Sequence, residues 1–504
     1  MENKENIHKK ILLYAICLLP PALVSGPFLP DLIVALSAIY FLIYLWKFNQ
    51  IKFLINDFSK IFIVFYIYIV ARSFFAEDIL LSLKNSFFYF RFLILVFLIK
   101  YLINHEKNFI RLFFYSLILT SLIISLDAII EYIAGYHWLF DKSYYMEFQG
   151  GRISGLFDEE YILGSYLFRL YPVILTLGLL ILDKKKILLL LLFTILTLFT
   201  IIISGERTSL ASFFIIILLL TVSTNTIRSL KKKLYIIFGS MIFLLSIIFS
   251  SEFLANRLIF HTLNSFLSRS DFVENNYKDQ INFKRSIEEH LGFSDIDYKK
   301  DVIIGSINTV SFIKEWNLKV PEPTNIEIEE ALTIVQNKID NKSSLIKKVS
   351  VNIDKLIFIL SRENKKLVFF STEHHNHALI GIKMFRDNPI FGHGLKMFRI
   401  KCGKERYYLG ARSCTTHPHN VILTFMSELG ILGLLFYLIG FFYIIKSLII
   451  KSGDQKILLI SFIVFLIPIL PSGYFFNNYF SIIFYIGIGF YSGLKRININ
   501  RSSL

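Results

Sequence analysis

The sequence predicts an all-α fold: a polytopic transmembrane bundle of about twelve helices with a long, helical loop domain on one side of the membrane. Of its 504 residues, 54% are hydrophobic and 52 are Phe, and the mean hydropathy is +0.57. This is more apolar sequence than the core of a soluble domain takes up. Positive charge also gathers in alternate connections between apolar runs, which is typical of membrane proteins.

The apolar runs define the spans. A run of roughly 17 to 25 apolar residues can cross the hydrocarbon core as a helix. By this criterion the spans lie near residues 10–26, 29–46, 60–76, 83–103, 109–134, 160–182, 187–204, 208–226, 234–251, 419–445, 457–473 and 477–494. We expect the first to be a transmembrane helix, because no small-residue cleavage site of a signal peptide follows it.

Lysine and arginine predict the orientation, because cytoplasmic connections retain positive charge. Basic clusters such as Lys184-Lys-Lys186 and Lys231-Lys-Lys233 fall on the same side as both ends of the chain, whereas the connection 471–477 is uncharged. Both termini are therefore predicted to be cytoplasmic, and in a bacterium the opposite side would be the periplasm or the exterior. These flanks also explain most of the net charge of +16, so nucleic acid is not expected as a partner.

Two outer connections are long, at residues 135–159 and 252–418, and loops of this length are commonly lids or domains. The second has a lysine-rich part with amphipathic pieces, 252–370, and a motif-bearing part, 371–418. The predicted organisation is an N-terminal membrane bundle of about nine spans, a periplasmic loop domain, and about three C-terminal spans. Their bounds are 1–251, 252–418 and 419–504.

Two cysteines lie close together in the outer loop. Cys402 and Cys414 are separated by few residues, and an oxidising compartment permits a disulfide between them. A bridge that closes a loop of this size stabilises the fold by about 3 kcal/mol in the chain-entropy model. We expect this bridge to fix the loop just ahead of His417. Cys17, inside the first span, is expected to be a small apolar residue.

Histidines and one acid mark the boundary between the outer loop and the span that follows it. Six of the eleven histidines fall between residues 374 and 419, and Cys414-Thr-Thr-His-Pro-His-Asn420 runs into an apolar span that carries Glu428. Ionisable groups at a membrane boundary are costly, so their presence indicates a functional site. An imidazole, whose pKa lies near working pH, can take a proton from an attacking hydroxyl.

Arginines from other segments are predicted to reach the same outer face and to converge beside His419. Arg152 ends the first outer loop, Arg169 follows inside a span, and the tight turn Ser204-Gly-Glu-Arg-Thr-Ser209 puts Arg207 at the membrane boundary. A planar guanidinium binds two phosphate oxygens at once and stays charged in a low-dielectric setting. Arginines beside histidines therefore indicate chemistry on a lipid diphosphate.

These residues carry a resemblance to a known family. The run His419-Asn-Val-Ile-Leu423, followed by Glu428, Gly430 and Gly433, resembles the signature of the O-antigen ligase and polymerase superfamily. The upstream Asp387-Asn-Pro-Ile-Phe-Gly-His-Gly394 and the Gly-Glu-Arg-Thr turn are similar to further motifs of that family.

The resemblance covers roughly residues 150–440 without the stretch near 252–370. It implies an inverting, metal-independent glycosyltransferase with no cofactor, acting at the periplasmic face of the bilayer. The implied donor is a glycan on undecaprenyl diphosphate, and the implied acceptor is lipid A-core or a second lipid-linked glycan. Arg207 would hold the diphosphate, and His419 would activate the acceptor hydroxyl or assist the departing diphosphate.

The candidate catalytic residues are thus His419, Arg207 and Glu428. The candidate substrate-binding residues are Arg152, Arg169, Arg386, His374, His417 and Asn420. A second arginine expected from the family, in the long loop, has several candidates besides Arg152 and Arg169, namely Arg386, Arg399, Arg406 and Arg412.

Plainer interpretations stay open for these residues. Under these interpretations, Arg207 is an interfacial anchor, His419 is a helix-start residue, and Glu428 is a buried group that hydrogen-bonds to a partner. Asp127 and Glu131, one helical turn apart, are expected to pair inside the bundle rather than to catalyse. The spacing His-His-x-His followed by a long gap fits no closed zinc site, so no metal is expected.

Other functions stay open as well. A flippase or exporter also has many spans with intramembrane charges, but it holds its substrate near the bilayer midplane. This chain instead gathers its polar groups at one outer face, which favours an enzyme. Among enzymes, a ligase, a polymerase and a protein O-oligosaccharyltransferase share the same donor, and the sequence does not separate them.

Overall fold

The computed structural model describes residues 2–140, 152–158, 160–183, 186–223, 372–409, 413–450, 454–466 and 471–494, with a few isolated positions between 239 and 259. Over these residues the chain is helical and has no strand, in agreement with the all-α prediction. The suggested helical character of 252–370 falls outside the described residues apart from isolated positions, as do most of the predicted span 234–251 and residues 141–151 and 159 of the loop 135–159.

The α-helices of the described residues are numbered here in chain order. They are α1 (Glu2–Cys17), α2 (Leu19–Ala22), α3 (Phe28–Lys47), α4 (Asp57–Ser73), α5 (Ile79–Ser86), α6 (Phe90–His105), α7 (Phe109–Ala134), α8 (Leu163–Ile181), α9 (Ile187–Ile203), α10 (Arg207–Ser223), α11 (Thr372–Asp387), α12 (Met397–Lys401), α13 (Val421–Ile450), α14 (Asp454–Leu466) and α15 (Asn478–Leu494). Short 3-10 turns lie at Ile51–Leu54, Phe87–Tyr89 and Gly155–Phe157.

Five helical segments in the described part of the chain are long and apolar enough to cross a membrane: Phe28–Lys47, Ile79–His105, Phe109–Ala134, Leu163–Ile181 and Val421–Ile450. The helices α9, α10 and α14 are apolar but shorter. The chain is therefore a membrane protein. Every predicted span other than 234–251 overlaps a helix, whereas the total of about twelve crossings and their orientation stay predictions.

Capping side chains and a glycine mark the ends of several helices. Asn56 caps α4, since its side chain accepts from the Ser59 N–H at 2.8 Å while Ser59 Oγ accepts from the Asn56 N–H at 3.0 Å. Asp78 caps α5 by accepting from the Leu81 N–H at 2.8 Å. Gly135, with φ of 78°, ends α7 in the left-handed conformation.

Small residues let α15 approach α6 closely. A Cβ atom at Gly489 would lie 2.8 Å from Cβ of Ile99, and one at Gly493 would lie 2.5 Å from Cδ1 of Ile103. Helices in membranes use such small residues to bring their backbones together, because dispersion contacts then replace the hydrophobic effect. This packing anchors α15, and the segment 471–477 leads directly into its N-terminus.

Aromatic side chains hold the segment 471–477 against α13. The ring of Phe425 lies 5.3 Å from that of Phe475 and 5.2 Å from that of Phe476, centroid to centroid. Tyr437, two helical turns beyond Gly430, lies 5.5 Å from Phe425. Aromatic pairs at such separations stabilise packing by about 0.5–1.5 kcal/mol beyond the area they bury. The segment is thereby positioned beside the N-terminal part of α13.

Candidate functional site

Four histidines meet at the N-terminal end of α13, and we call them the histidine group: His374, His377, His417 and His419. His374 and His377 lie one turn apart on α11, which puts both on one face of the helix. The ring of His419 lies 5.4 Å from His374, 5.3 Å from His377 and 4.1 Å from His417, between centroids. Residues far apart in sequence are therefore brought together as one group.

The backbone around His419 is held in an unusual conformation. His419 has φ of 52°, in the left-handed region, which costs a residue with a side chain about 1–2 kcal/mol. The Ser472 N–H donates to the His419 carbonyl at 2.8 Å, and the His417 Nε2 contacts the Ser472 carbonyl at 3.2 Å. Asn420 then caps α13 by accepting from the Leu423 N–H at 3.1 Å. Strain of this kind is retained where surrounding contacts impose it.

Burial keeps His417 and His419 neutral. Burial lowers the pKa of His417 to about 4, and the positive charge of Lys396 acts in the same direction. Burial, followed by the neighbouring imidazoles, lowers the pKa of His419 to about 2. A neutral ring can accept a proton, but one with so low a pKa is a weak base. Negative charge bound nearby would raise this pKa, because it favours the imidazolium.

Glu428 is fully buried in α13 and has partners for both oxygens. Its Oε1 accepts from the Phe398 N–H at 3.3 Å, and the Tyr474 hydroxyl donates to its Oε2. The ring of Tyr474 in turn lies 5.9 Å from that of His417. These contacts support the plainer interpretation of Glu428, a buried acid that satisfies partners and fastens α12 and the segment 471–477 to α13.

The Asn-Pro-Ile-Phe-Gly-His-Gly motif packs against a break in α13. Gly430, with φ of 63° and ψ of −159°, interrupts the helix. The Gly394 N–H donates to the Glu428 carbonyl at 2.7 Å, and the Ile431 N–H donates to the Pro389 carbonyl at 2.7 Å. A Cβ at Gly392 would lie 2.4 Å from backbone atoms of Glu428. Two motifs that are separate in sequence thus form one backbone contact that only glycine permits.

Arg72 of α4 supports this contact from the other side. Its Nε donates to the carbonyls of Phe391 and Gly392 at 3.1 and 3.0 Å, and its Nη2 donates to Gly392 at 2.6 Å. Arg72 belongs to none of the motifs identified in the sequence. Tyr68, one turn earlier, also donates to carbonyls at this contact. A charged donor stabilises a carbonyl more than a neutral donor does.

Two cations lie beside the histidine group. Lys396 has φ of 65°, its N–H donates to the Tyr474 hydroxyl at 3.0 Å, and its Nζ lies 4.0 Å from the centroid of that ring. Burial lowers the pKa of Lys396 to about 8, the charge of Arg399 adds to this effect, and Glu428 opposes it. Arg399 is exposed, and its charge also acts on His417. Sequence reasoning missed Lys396, whose only signal was its place two residues after the Gly-His-Gly motif.

The three outer arginines gather around Glu206, and we call Arg152, Arg169 and Arg207 the arginine group. The positive charges of Arg152 and Arg169 act on the Glu206 carboxylate, and that of Arg152 acts on Arg207. The predicted convergence of these arginines beside His419 stays a prediction, as do their roles.

Glu206 fastens the outer turn to the start of α8. Its oxygens accept from the Gly164 N–H at 2.6 Å, from the Ser165 N–H at 3.1 Å and from the Ser209 hydroxyl at 2.7 Å. A carboxylate at a helix N-terminus satisfies unpaired N–H groups and interacts favourably with the helix dipole. Burial raises the pKa of Glu206, and the hydrogen bonds and the two arginines oppose this shift.

Arg169 lies among aromatic rings. Its guanidinium carbon lies 4.7 Å from the ring centroid of Phe480, 5.3 Å from that of Phe465 and 4.9 Å from that of Phe168, and it donates to the Ser165 hydroxyl. Guanidinium groups stack favourably on aromatic faces. Arg152 similarly lies 5.9 Å from the ring of Tyr161.

Residues 471–480 contact both the histidine group and the arginine group. Ser472 and Tyr474 contact the histidine group, and Phe480 packs on Arg169. Of the other loop arginines, Arg386 is exposed near the C-terminus of α11, Arg406 pairs with Asp387, and Arg412 falls outside the described residues. Among the loop arginines that the structure describes, Arg399 is the one whose charge acts on His417.

Cys402 and Cys414 form a disulfide. Cys402 is buried with Ile380, Met384 and Phe398, so the bridge ties the chain that leads to His417 onto α11 and α12. Across the described part of the chain, no three His, Cys, Asp or Glu side chains form a group that could hold a metal ion. Metal-independent chemistry remains a prediction.

The expected pairing of Asp127 and Glu131 inside the bundle is also seen. Trp138 Nε1 donates to Asp127 Oδ1 at 2.7 Å, His137 Nε2 contacts Asp127 Oδ2 at 3.2 Å, and the Gly155 N–H donates to Glu131 at 2.8 Å. These contacts fasten the first outer loop, which carries Arg152, to the end of α7.

A family model described as O-antigen ligase matches residues 375–438. The match includes His377, His417, His419 and Glu428, and it leaves the arginine group outside. It confirms the resemblance to the O-antigen ligase and polymerase superfamily, and it indicates a glycosyltransferase-like enzyme that acts on lipid-linked glycan. A comparison with curated proteins found no match.

Proposed function

We propose that the protein transfers a glycan from undecaprenyl diphosphate to an acceptor hydroxyl at the periplasmic face of the inner membrane, with inversion at the anomeric carbon and without a metal ion. The observation that carries this proposal is the histidine group, which closes around His419 and has three of its four members, His377, His417 and His419, within the residues matched to the O-antigen ligase family.

The donor diphosphate needs fixed positive charge. Arginine suits this task, because its planar fork binds two phosphate oxygens and does not lose its proton. In the proposal Arg207 holds the diphosphate, and Arg152 and Arg169 complete its surroundings. The charges of Arg152 and Arg169 act on Glu206, and that of Arg152 acts on Arg207, which supports this assignment because it brings guanidinium groups from three segments near one another.

His419 would act on the acceptor. The acceptor oxygen forms a bond to the anomeric carbon while the bond from that carbon to the diphosphate oxygen breaks. The hydroxyl proton passes to the neutral imidazole, and the negative charge collects on the leaving diphosphate. Bound diphosphate would also raise the pKa of His419 from about 2, so the base would strengthen when the donor is present.

Glu428 has a positioning role in this mechanism. Its oxygens accept from the Phe398 N–H and the Tyr474 hydroxyl, and both partners belong to segments that adjoin the histidine group. His374, His377 and His417 surround His419, and Asn420 starts the helix that follows it. Arg386 would contact the glycan from the exposed surface of α11.

The proposed location follows from charge. Basic connections are predicted on the cytoplasmic side with both termini, and the motif-bearing loop then faces the periplasm, where a disulfide can persist. The bond between Cys402 and Cys414 supports this side, because such bonds are rare in a reducing compartment.

A reconstituted transfer assay tests the proposal. Purified protein in lipid vesicles is given an undecaprenyl-diphosphate oligosaccharide and lipid A-core, with a chelator present, and the lipid-linked donor is followed by chromatography. We expect the donor to be consumed. Glycan on lipid A-core identifies a ligase, a longer lipid-linked glycan identifies a polymerase, and glycan on an added Ser- or Thr-bearing protein identifies a protein-directed transferase.

An intact donor with all three acceptors would overturn the proposal. The same vesicles then distinguish the transporter, because a flippase moves the lipid-linked glycan from one leaflet to the other without breaking the sugar–phosphate bond. Loss of transfer on adding the chelator would overturn the metal-independent part alone.

A further inference from the structure

The backbone of Lys396 is held in place by the contacts of the loop around it. It follows Gly394 in the loop that packs against the break in α13, and its own φ of 65° is in the left-handed region. Its N–H donates to the Tyr474 hydroxyl at 3.0 Å, and that hydroxyl donates to Glu428. The lysine backbone is therefore held by a buried chain of hydrogen bonds that ends on a carboxylate in the membrane helix.

The Lys396 side chain lies across the Tyr474 ring, next to the histidine group. Its Nζ is 4.0 Å from the ring centroid, and the same ring lies 5.9 Å from that of His417. A cation over an aromatic face is favoured by the ring quadrupole, which orients the side chain without neutralising its charge. The lysine charge acts on His417, so the two groups share one electrostatic environment.

No carboxylate in the described residues forms an ion pair with Lys396. The acid whose charge acts on it is Glu428, and the oxygens of Glu428 already accept from Phe398 and Tyr474. The second charge that acts on Lys396 is positive, on the exposed side chain of Arg399. Two cations beside the neutral rings of His417 and His419 attract an anion, because the described residues provide no ion-pair partner for Lys396.

We propose that Lys396, assisted by Arg399, binds a phosphate oxygen of the lipid diphosphate beside His419. This inference rests on the proposed function and extends it. It assigns the binding of the donor's negative charge to a residue outside the motifs that carry the family resemblance. The lysine supplies a cation on the side of the histidine group.

The ionisation of Lys396 gives the inference a distinctive signature. Burial lowers its pKa to about 8, so an arginine at this place would behave differently in alkaline solution. The charged or titratable groups that act on it are Glu428 from α13, Arg399 from α12, and Tyr474 and His417 from the adjoining segments. The pKa of Tyr474 is raised well above its ordinary value by burial, and His417 is neutral above pH 6, so neither titrates with the lysine.

Binding of undecaprenyl diphosphate to the full-length protein in nanodiscs tests the inference, with inorganic pyrophosphate as a second probe. The variants are Lys396→Met, Lys396→Arg and the matched control Lys383→Met, which removes an exposed lysine of α11. We expect Lys396→Met to weaken binding roughly ten- to a hundredfold, the usual loss for a charged hydrogen bond. The control should bind like the unmodified protein.

The pH series separates a direct contact from a structural role. Binding by the unmodified protein should weaken as the pH rises from 8 to 10, because Lys396 loses its proton, whereas Lys396→Arg should bind equally well across that range. Equal affinity of Lys396→Met and the unmodified protein, or the same alkaline loss in Lys396→Arg, would overturn the inference and leave the proposed function standing. Absence of saturable binding in the unmodified protein would overturn both.

Discussion

The histidine group and the arginine group each lie beside a buried acid, and the two acids do the same work. Glu428 accepts from the Phe398 N–H and the Tyr474 hydroxyl, while Glu206 accepts from the N–H groups of Gly164 and Ser165. In both regions the acid of the motif fastens a distant segment. The two acids differ in their neighbours, which are imidazoles in the histidine group and permanently charged guanidinium groups in the arginine group.

This difference separates motif residues that build the site from motif residues that can take part in its chemistry. An acid whose oxygens receive backbone hydrogen bonds is used to build the site, since leaving those buried donors without a partner would cost about 1–3 kcal/mol each. The side chains that such an acid positions are the better candidates for chemistry. On this argument we expect His419 and Arg207 to take part in the chemistry, while Glu428 and Glu206 hold the segments that carry or adjoin them.

The largest expected effect is a difference in stability between alanine substitutions at a glycine of each region. A Cβ at Gly430 would lie 2.4 Å from the Ile390 carbonyl oxygen, a backbone atom, at φ of 63°, whereas one at Gly164 meets side-chain atoms at 3.0 Å and beyond. Gly430→Ala should cost about 2–5 kcal/mol from strain and overlap, and Gly164→Ala about 1 kcal/mol, since alanine also favours the helix.

Thermal unfolding of the purified variants in detergent measures this prediction. Gly440→Ala is the matched control, because nothing lies within 4 Å of its added Cβ. A melting temperature of Gly430→Ala equal to that of Gly440→Ala would show that the motif contact is not needed for the fold.

The second prediction concerns transfer activity. His419→Ala and Arg207→Ala should each lower the rate by about two to three orders of magnitude, the usual loss when one stabilising group is removed from a polar transition state. His375→Ala removes an exposed histidine next to His374 and should keep full activity. The measurement is the reconstituted transfer assay, with thermal unfolding to verify that each variant is folded. Full activity of both site variants would break the assignment.

The smallest effect is a difference in pH dependence between the two regions. The pKa of His417 is about 4 in the folded protein against 6.5 in an unfolded chain, so as pH falls from 6.5 towards 4 the unfolded state binds a proton that the folded state does not. Stability should therefore fall over this window, by at most about 1.4 kcal/mol per pH unit for one histidine. Glu206 has a raised pKa, so it acts in the opposite direction just above pH 4.5.

Melting curves of His417→Gln and Glu206→Gln between pH 7 and 4 separate the two contributions. The first variant should lose less stability than the unmodified protein as the pH falls, and the second should lose more. Identical pH profiles for all three proteins would contradict the burial of these groups.

The sequence predicted a good part of the fold. The run 109–134 coincides with α7, and 29–46 lies within α3, because the length of an apolar run reflects the thickness that it crosses. The nearness of Cys402 and Cys414 in the chain favoured the disulfide that the structure contains. The clustering of histidines at 374–377 and 417–419 correctly indicated that a polar group assembles ahead of α13.

Other features could not be predicted. Arg72 donates to carbonyls more than 300 residues away, and Tyr474 joins Glu428 to Lys396 across three segments. Neither residue belongs to a motif, and neither departs from the texture of an ordinary span or turn. Their partners depend on which helices pack side by side, and hydrophobic periodicity does not encode this.

By itself, the sequence determined that this is a helical membrane protein, where most of its helices lie, and which segments hold its polar chemistry, because apolar run length and charge are local properties. The tertiary structure decided which polar groups meet. It joined the Asn-Pro loop to the break at Gly430, gave Glu428 and Glu206 to backbone donors, and put Lys396 beside the histidine group. These contacts arise only when distant segments pack, since each buried polar group must then find a partner.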